Sequence, residues 1–376
     1  MRRIAIWIHG GIGGGLFSQG QPAIQQLVTK LASRFEVDVY SLLPPNLDFD
    51  PPGFTIFYLR SGIRWRFIRW LYLVLKFFTI SFQNSYHLTY GFWGYPAGGF
   101  AVLVAKIFRI PSVIHLQGGD AVALPSLNYG VFSHPVRAKI CRFIYSRSTV
   151  LITLSEFQAA RLRENRVTKS PVIIPFGPDI SQFKFKPERF DHAVVRFLHV
   201  GNQTPVKGQK TMLSVFCQVA QRLPSRLVII GEDYYNGQLK EWCISLGVEE
   251  QVEFLGPQPY NRMAGFYYDA DILLHTPYYE GQGLVFAEAA ACGTIIAGTE
   301  VGMLADMGKE CALIAAPGED GTLANKIIAA LTSKDLLKQM QVTARRWVEE
   351  KDVNYTESRI VGILNELMLP CRSNKN

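Results

Sequence analysis

The sequence predicts an α/β protein of two doubly wound domains, each a parallel sheet with helices on both faces, the two facing each other across a cleft. Three observations carry that expectation. The chain has 376 residues, about twice the usual size of one domain. Short apolar runs alternate with helical patterns from one end to the other, the pattern of parallel sheets covered on both faces. A stretch rich in Gly, Pro and charge, near residues 176–192, separates two such series.

The first series offers strands at Arg3–Ile8, Val37–Leu42, Phe54–Leu59, Ser112–Leu116, Val150–Leu154 and Val172–Pro175. The second offers Val195–Val200, Arg226–Ile230, Val252–Leu255, Ile272–His275, Thr294–Ala297 and Ala312–Ala315. Helical patterns fall between them, for example Gln19–Ser33, Lys207–Arg222 and Leu323–Leu331. The expected domains are 1–180 and 181–354, and Tyr355–Leu369 reads as a further helix. Sheets of this kind bind ligands at the carboxyl ends of their strands, so a ligand is expected in the cleft.

Composition excludes several classes. With 48% hydrophobic and 19% charged residues the chain is neither disordered, collagenous nor a coiled coil. Its six cysteines have no CxxC pair, which excludes a disulfide scaffold and a cysteine-held zinc, and no HExxH places a metal. The apolar part of MRRIAIWIHGG is too short for a signal peptide and reads as a strand, so a cytoplasmic location is expected.

Charge is uneven: residues 1–180 carry 19 Lys/Arg against 8 Asp/Glu, and residues 181–376 carry 20 against 23. An anionic partner or surface is therefore expected at the first half. Within it, residues 60–82 interleave Arg60, Arg64, Arg66, Arg69 and Lys76 with Trp65, Trp70, Phe67, Phe77 and Phe78. The run is too interrupted to span a bilayer. It reads either as an interfacial helix on an anionic leaflet or as a helix packed on a sheet with its arginines in water. No nucleic-acid motif accompanies it.

The most informative stretch is Thr276–Thr294, TPYYEGQGLVFAEAAACGT. A strand ends at His275, a turn with Gly281 and Gly283 follows, and a helix begins near Leu284. The amides that open a helix, with the positive end of its dipole, form an anion site. Glycine lets the backbone approach a phosphate closely. Glu280 falls in the loop and Glu288 a turn inside the helix, where a carboxylate can accept hydrogen bonds from two vicinal hydroxyls. A second strand–loop–helix, Val200–Gly208, places Lys207 at a helix start, either as a counter-charge to a diphosphate or as a solvated surface lysine. Asp269-Ala-Asp271 reads as a strand-entry cap rather than a ligand pair.

The pattern Glu280–Met307 resembles the signature of retaining glycosyltransferases of family 4, which have the GT-B fold: E-G-x-G-L, the E-x7-E spacing, A-C-G-T and T-x-V-G. Val200–Phe216, Leu227–Asp233, Val252–Pro257, Ile152–Leu162, Ile174–Phe183 and Leu116–Asp120 extend the likeness over most of the chain. The resemblance implies a UDP- or GDP-sugar donor held by the second domain and a glycan or lipid-linked acceptor held by the first, with no further cofactor and no metal. It implies that Glu288 binds the ribose hydroxyls, that Glu280 sits beside the donor sugar, and that Lys207, Asn202, Gly281 and the amides of Gly283, Leu284 and Val285 hold the diphosphate. Gly13 and Gly14, in the loop after the first strand, would lie near donor phosphates and acceptor; Gln117 and Asp120 would serve the reaction from the first domain. The helix from Tyr355 onward would cross back onto the first domain.

Two departures stand out. Asn202 occupies a place where many relatives carry Arg, so only a neutral hydrogen bond reaches the diphosphate there. Gln117 stands where many have His, while His115, two residues earlier, reads as a hydrogen-bonded core histidine. The loop Gly10–Gly15 also invites comparison with a dinucleotide fingerprint, but its G-x-G-x-G spacing does not match and no acidic ribose partner follows. A sugar-nucleotide epimerase of the same fold, and a non-catalytic sugar-nucleotide or membrane-binding protein, are the alternatives to a transferase.

Overall fold

The computed structural model describes residues 1–18, 20–60, 65–187 and 193–369. Arg64, Cys371 and residues 188–192 of the expected linker lie outside the described residues. The chain forms two compact units, one of Met1–Leu154, Ala159–Ile174 and Tyr355–Asn376, the other of Ser155–Gln158 and Pro175–Asn354.

Unit 1 contains β1 (Arg3–Ile8), α1 (Pro22–Ala32), β2 (Glu36–Ser41), β3 (Thr55–Phe57), α2 (Arg66–Gln83), β4 (Leu88–Phe92), α3 (Ala97–Phe108), β5 (Ser112–His115), α4 (Pro135–Arg147), β6 (Val150–Thr153), α5 (Glu156–Glu164) and β7 (Val172–Ile173). The first three residues of α5 belong to unit 2. The seven strands are parallel, in the order β3-β2-β1-β4-β5-β6-β7. Ile4 to Ile8 are all buried, as a central parallel strand covered on both faces requires.

The strand absent from the sequence reading is β4. Gly91 interrupts its apolar run and looks like a turn, yet the residue is glycine because α3 presses on it: a Cβ there would lie 2.6 Å from the Gly98 Cα. Right-handed crossovers from β3 to β4, β4 to β5 and β5 to β6 place α2, α3 and α4 on one face of the sheet and α1 on the other. Contacts agree: Trp70 of α2 stacks on Phe100 of α3 at 4.7 Å, and Phe77 meets Phe108 at 5.4 Å. Burying Trp70, Leu73 and Phe77 stabilises α2 by about 1.5–3 kcal/mol per side chain. None of the described helices is long and apolar enough to cross a membrane.

Unit 2 contains β8 (Val195–Val200), α6 (Gln209–Ala220), β9 (Ser225–Ile230), α7 (Gln238–Leu246), β10 (Val252–Gly256), α8 (Met263–Asp269), β11 (Ile272–His275), α9 (Leu284–Cys292), β12 (Ile295–Thr299), α10 (Met303–Met307), β13 (Leu313–Ala315), α11 (Asp320–Leu331) and α12 (Lys334–Glu349). Its parallel sheet has the order β10-β9-β8-β11-β12-β13. Asp271 ties the entry of β11 to β8, accepting from the Arg196 amide at 2.8 Å and from its guanidinium at 3.2 Å. The final helix, α13 (Val353–Leu367), belongs to unit 1 from Tyr355 onward. Glu357 on it accepts from Lys30 and Arg34 at 2.9 Å each, and Ile360 and Leu364 are buried.

Candidate functional site

Each sheet reverses its winding once, between β8 and β11 in unit 2 and between β1 and β4 in unit 1. The loops that leave the carboxyl ends of such strands diverge and open a crevice. In unit 2 the loop after β8 runs from Gly201 to Gly208, and the loop after β11 from Thr276 to Gly283. They bind each other: the Tyr278 amide donates to Val206 carbonyl at 2.8 Å, and the Thr276 hydroxyl to Gly208 carbonyl at 3.0 Å.

Lys207 does not begin α6. It closes a 3-10 turn, Pro205–Lys207, and the helix starts at Gln209. The break is Gly208, at φ 64°, where a Cβ would sit 2.0 Å from the Thr276 carbonyl oxygen. Held there, the Lys207 ammonium pairs with the Glu280 carboxylate. The same carboxylate oxygen lies 3.2 Å from His275 Nε2, on the last residue of β11. Behind it, His199 stacks on the His275 ring at 5.0 Å and donates from Nδ1 to the Leu274 carbonyl at 3.0 Å. Gln209 approaches His199 Nε2 at 3.4 Å.

Burial alone would push the Glu280 carboxyl up, but the Lys207 charge and the His275 hydrogen bond outweigh it and hold it at about 2. Burial lowers both imidazoles, His199 to about 3, so they are neutral. The cluster is therefore a lysine and a carboxylate held by neutral donors.

Helix α9 starts beside this cluster. Its N-cap is Gly283 at φ 81°, and the amides of Leu284 and Val285 open its first turn, where no intrahelical acceptor exists. Gly281 is packed: its carbonyl accepts the Ser155 hydroxyl at 2.6 Å. Glu288 is buried in the second turn, where the hydroxyls of Tyr260, in the turn that precedes α8, and Tyr267, on α8, donate to its two oxygens at 2.8 and 2.7 Å. Burial raises it to about 7 in spite of those two bonds. Asn202 keeps its place in the loop after β8, but its Oδ1 already accepts the Glu232 amide at 3.2 Å.

In unit 1 the loop after β1 folds on itself. The Gly13 amide donates to Gln25 Oε1 at 2.9 Å, its carbonyl accepts from Asn46, and a Cβ would lie 2.2 Å from the Phe49 ring. Gly13 is thus a packing position, not an amide aimed at a phosphate. Gly14 accepts at its carbonyl from Gly20. After β5, Asp120 Oδ2 accepts the Gln117 amide at 2.9 Å and the Gly94 amide at 3.0 Å, which ties the loops after β5 and β4 together. Its carboxyl is buried and is raised to about 7 by that burial, against the two amides. Gln117 is nearly buried, with its side-chain amide 3.3 Å from the His115 carbonyl. His115 is a core histidine: fully buried, bonded through Nδ1 to Tyr90 at 2.8 Å, and lowered by burial to about 3.

Among the described residues no group of three or more His, Cys, Asp or Glu side chains is placed to hold a metal ion.

Residues 20–177 match the model of the glycosyl transferase 4-like domain, and residues 181–347 that of glycosyl transferases group 1. The chain belongs to the family 4 glycosyltransferases. Among curated relatives, the D-inositol 3-phosphate glycosyltransferase of Corynebacterium jeikeium is 28% identical over 225 residues, 54% of this chain and 53% of that protein. The N-acetyl-alpha-D-glucosaminyl L-malate synthase of Bacillus anthracis is 26% identical, over 47% of this chain and 46% of its own. The chain thus spans about half the length of these curated relatives. Sucrose-phosphate synthase from Thermosynechococcus elongatus superposes with a TM-score of 0.82 at 19% identity, covering 98% of this chain and 99% of that one. HepE from Anabaena, solved with UDP and glucose, gives 0.77 at 18%, covering 97% and 100%. These likenesses show the GT-B fold, two Rossmann-like domains.

Several site residues of this family 4 chain escaped the sequence reading. His275 and His199 sit at the carboxyl ends of adjacent strands, and only the strand order makes them neighbours. Tyr260 and Tyr267 come from the α8 region, about twenty to thirty residues before Glu288, with no spacing that announces the contact. The role of Asp120 did have a signal: Gln117 and Asp120 stand three apart and form a reciprocal cap on the turn Gly118–Ala121.

Proposed function

We propose that the chain is a retaining glycosyltransferase that moves a sugar from a UDP- or GDP-sugar to a glycan or lipid-linked acceptor, in cell-surface polysaccharide or lipopolysaccharide assembly. The observation that carries this reading is the Lys207–Glu280–His275 cluster at the winding reversal of unit 2, beside the start of α9. Cleaving the anomeric C–O bond puts negative charge on the departing diphosphate and positive charge on the sugar. Lys207 and the amides of Gly283, Leu284 and Val285 would stabilise the first, by groups already oriented before the reaction. Glu280, ionised throughout the neutral range, would favour the second. Retention follows if the acceptor attacks from the face the phosphate leaves, with that phosphate taking the acceptor proton. In this scheme Lys207 and the helix start carry the charge that a metal would otherwise neutralise. Gln117 stands at the corresponding strand ends of unit 1, where the acceptor would bind. UDP is the first nucleotide to try, since HepE was solved with it.

The test is thermal unfolding with UDP, GDP, ADP, CMP and NAD, for wild type and Glu288→Ala. A ligand at 100 times its Kd adds about 2.7 kcal/mol to the unit that binds it. The expected result is a rise in Tm with UDP or GDP that Glu288→Ala abolishes. A rise with NAD alone would sink the reading.

A further inference from the structure

Helices α2, α3 and α4 form one continuous layer on unit 1, and none of them carries a carboxylate. From Pro51 to Ser155 the chain has eleven Lys/Arg and a single Asp/Glu, Asp120, which is 3% exposed. The outer surface of the layer is nonetheless rich in large apolar side chains. On α2, Phe67, Leu71, Leu75 and Phe82 follow one helical stripe and are exposed, Phe82 by 88%. The opposite stripe, Trp70, Leu73 and Phe77, faces the sheet. Leu103 and Ile107 continue the exposed stripe on α3, and Val136, Ile140 and Phe143 on α4. Exposed cations rim it: Arg66, Lys106, Arg109, Arg137, Lys139 and Arg147.

Single exposed apolar residues need no explanation, but stripes on three adjacent helices do. A second copy of the chain would bring like charges together on this face, and an ordinary protein partner would have to be acidic throughout. An anionic bilayer supplies both requirements at once, phosphates for the cations and a hydrocarbon boundary for the apolar stripe.

We propose that the outer face of α2, α3 and α4 docks unit 1 on an anionic lipid bilayer. The sequence pointed only to the α2 part of it, and two of the five aromatics named there, Trp70 and Phe77, belong to the core. Arg66 fixes the orientation that matters: it reaches the ring of His9 at 2.8 Å, on the residue before the glycine loop of β1. Docking by this face brings the mouth of that loop to the lipid surface. A lipid-linked acceptor would be met there, a consequence that rests on the transferase reading; the docking itself does not.

The test is co-sedimentation of the full chain with phosphatidylcholine vesicles with and without phosphatidylglycerol, over a salt series. Wild type is expected to bind only the anionic vesicles, and less as salt rises. Each cation near such a surface is worth about 1 kcal/mol, or about 5-fold in affinity. Arg137→Ser with Lys139→Ser on α4 should therefore weaken binding about 25-fold. Leu71→Ser with Leu75→Ser should weaken it without changing the salt slope, and Lys338→Ser, on α12 of unit 2, should change nothing. Wild-type chain that stays in the supernatant with anionic vesicles overturns the proposal; so does an α4 variant that binds like wild type. Donor hydrolysis in solution, read on the same variants, stays at the wild-type rate. If hydrolysis is absent while vesicle binding persists, the transferase reading fails and the docking face stands.

Discussion

Lys207→Ala is expected to lower kcat about 100- to 1000-fold, the usual effect of removing one preorganised charge partner from a developing anion. Donor affinity should fall with it, because in the proposed reaction the ammonium would meet the diphosphate both before and during bond cleavage. The same substitution strands Glu280, whose side chain is only 12% exposed, beside a neutral histidine. Breaking a buried pair by removing one partner costs about 3–5 kcal/mol. Lys207 is 27% exposed, so the lower end applies. The double variant Lys207→Ala/Glu280→Gln isolates the stability cost. It should recover most of the Tm, since no buried charge remains unpaired, while kcat stays low. Single-turnover kinetics beside urea unfolding measure both. A Lys207→Ala enzyme with wild-type kcat would remove the lysine from the mechanism.

The second large effect is on acid stability. Burial holds His115 and His199 at about 3 and lowers His275, against 6.5 in an unfolded chain. A histidine whose folded value is depressed stays neutral in the native state while the unfolded chain takes a proton. Stability is therefore present above pH 6.5 and is lost as pH falls below it. Asp120 and Glu288 act the other way. Their folded values of about 7 lie above the unfolded 3.8 and 4.5, so the native state keeps protons that the unfolded chain has lost, and stability grows as pH falls from about 7. These buried histidines and carboxyls therefore pull stability in opposite directions as pH falls below about 6.5, so removing one carboxyl exposes the histidine contribution. Asp120→Asn removes one opposing group while its amide oxygen can still accept from Gln117 and Gly94. Its acid limb should be steeper than wild type below about pH 7, by up to about one proton per molecule. Urea midpoints from pH 5 to 8 read this directly. Parallel curves for the two proteins would show that Asp120 is ionised in the native state.

How far the sequence carries depends on what a feature is made of. β1, β8 and β11 appear at the expected residues because a buried parallel strand is a plain apolar run, and apolar runs are local. β4 is missed because its glycine answers to a helix residue seven positions away in sequence, not to the strand. The family signature marks Glu280 and Glu288 with their correct stations in loop and helix. It does not show that they have different surroundings, one ionised against a lysine and the other held near neutrality between two tyrosines. That difference arises from β8 and α8, which touch α9 and its loop only after folding. The motif gives Asp120 a reacting role but does not show that its Oδ2 accepts two backbone amides from different loops. Residues 60–82 read equally as a core helix and as an interfacial one. In the described part, α2, one stripe enters the core and the opposite one stays exposed.

The return of α13 to unit 1 has a consequence for how the protein is made. A ribosome releases β1 through β7 long before Glu357 exists, so Lys30 and Arg34 on and beside α1 wait for their partner until unit 2 has been synthesised. The buried Ile360 and Leu364 arrive equally late. The unit that begins the chain is thus the last to be completed, and the nascent protein must keep an apolar surface beside α1 uncovered while some 180 residues are still being added. A gene cut after residue 174 would yield a first half that has lost a wall rather than a free-standing domain. Any division of this protein into separately expressed parts has to carry Tyr355 to Leu367 along with the first.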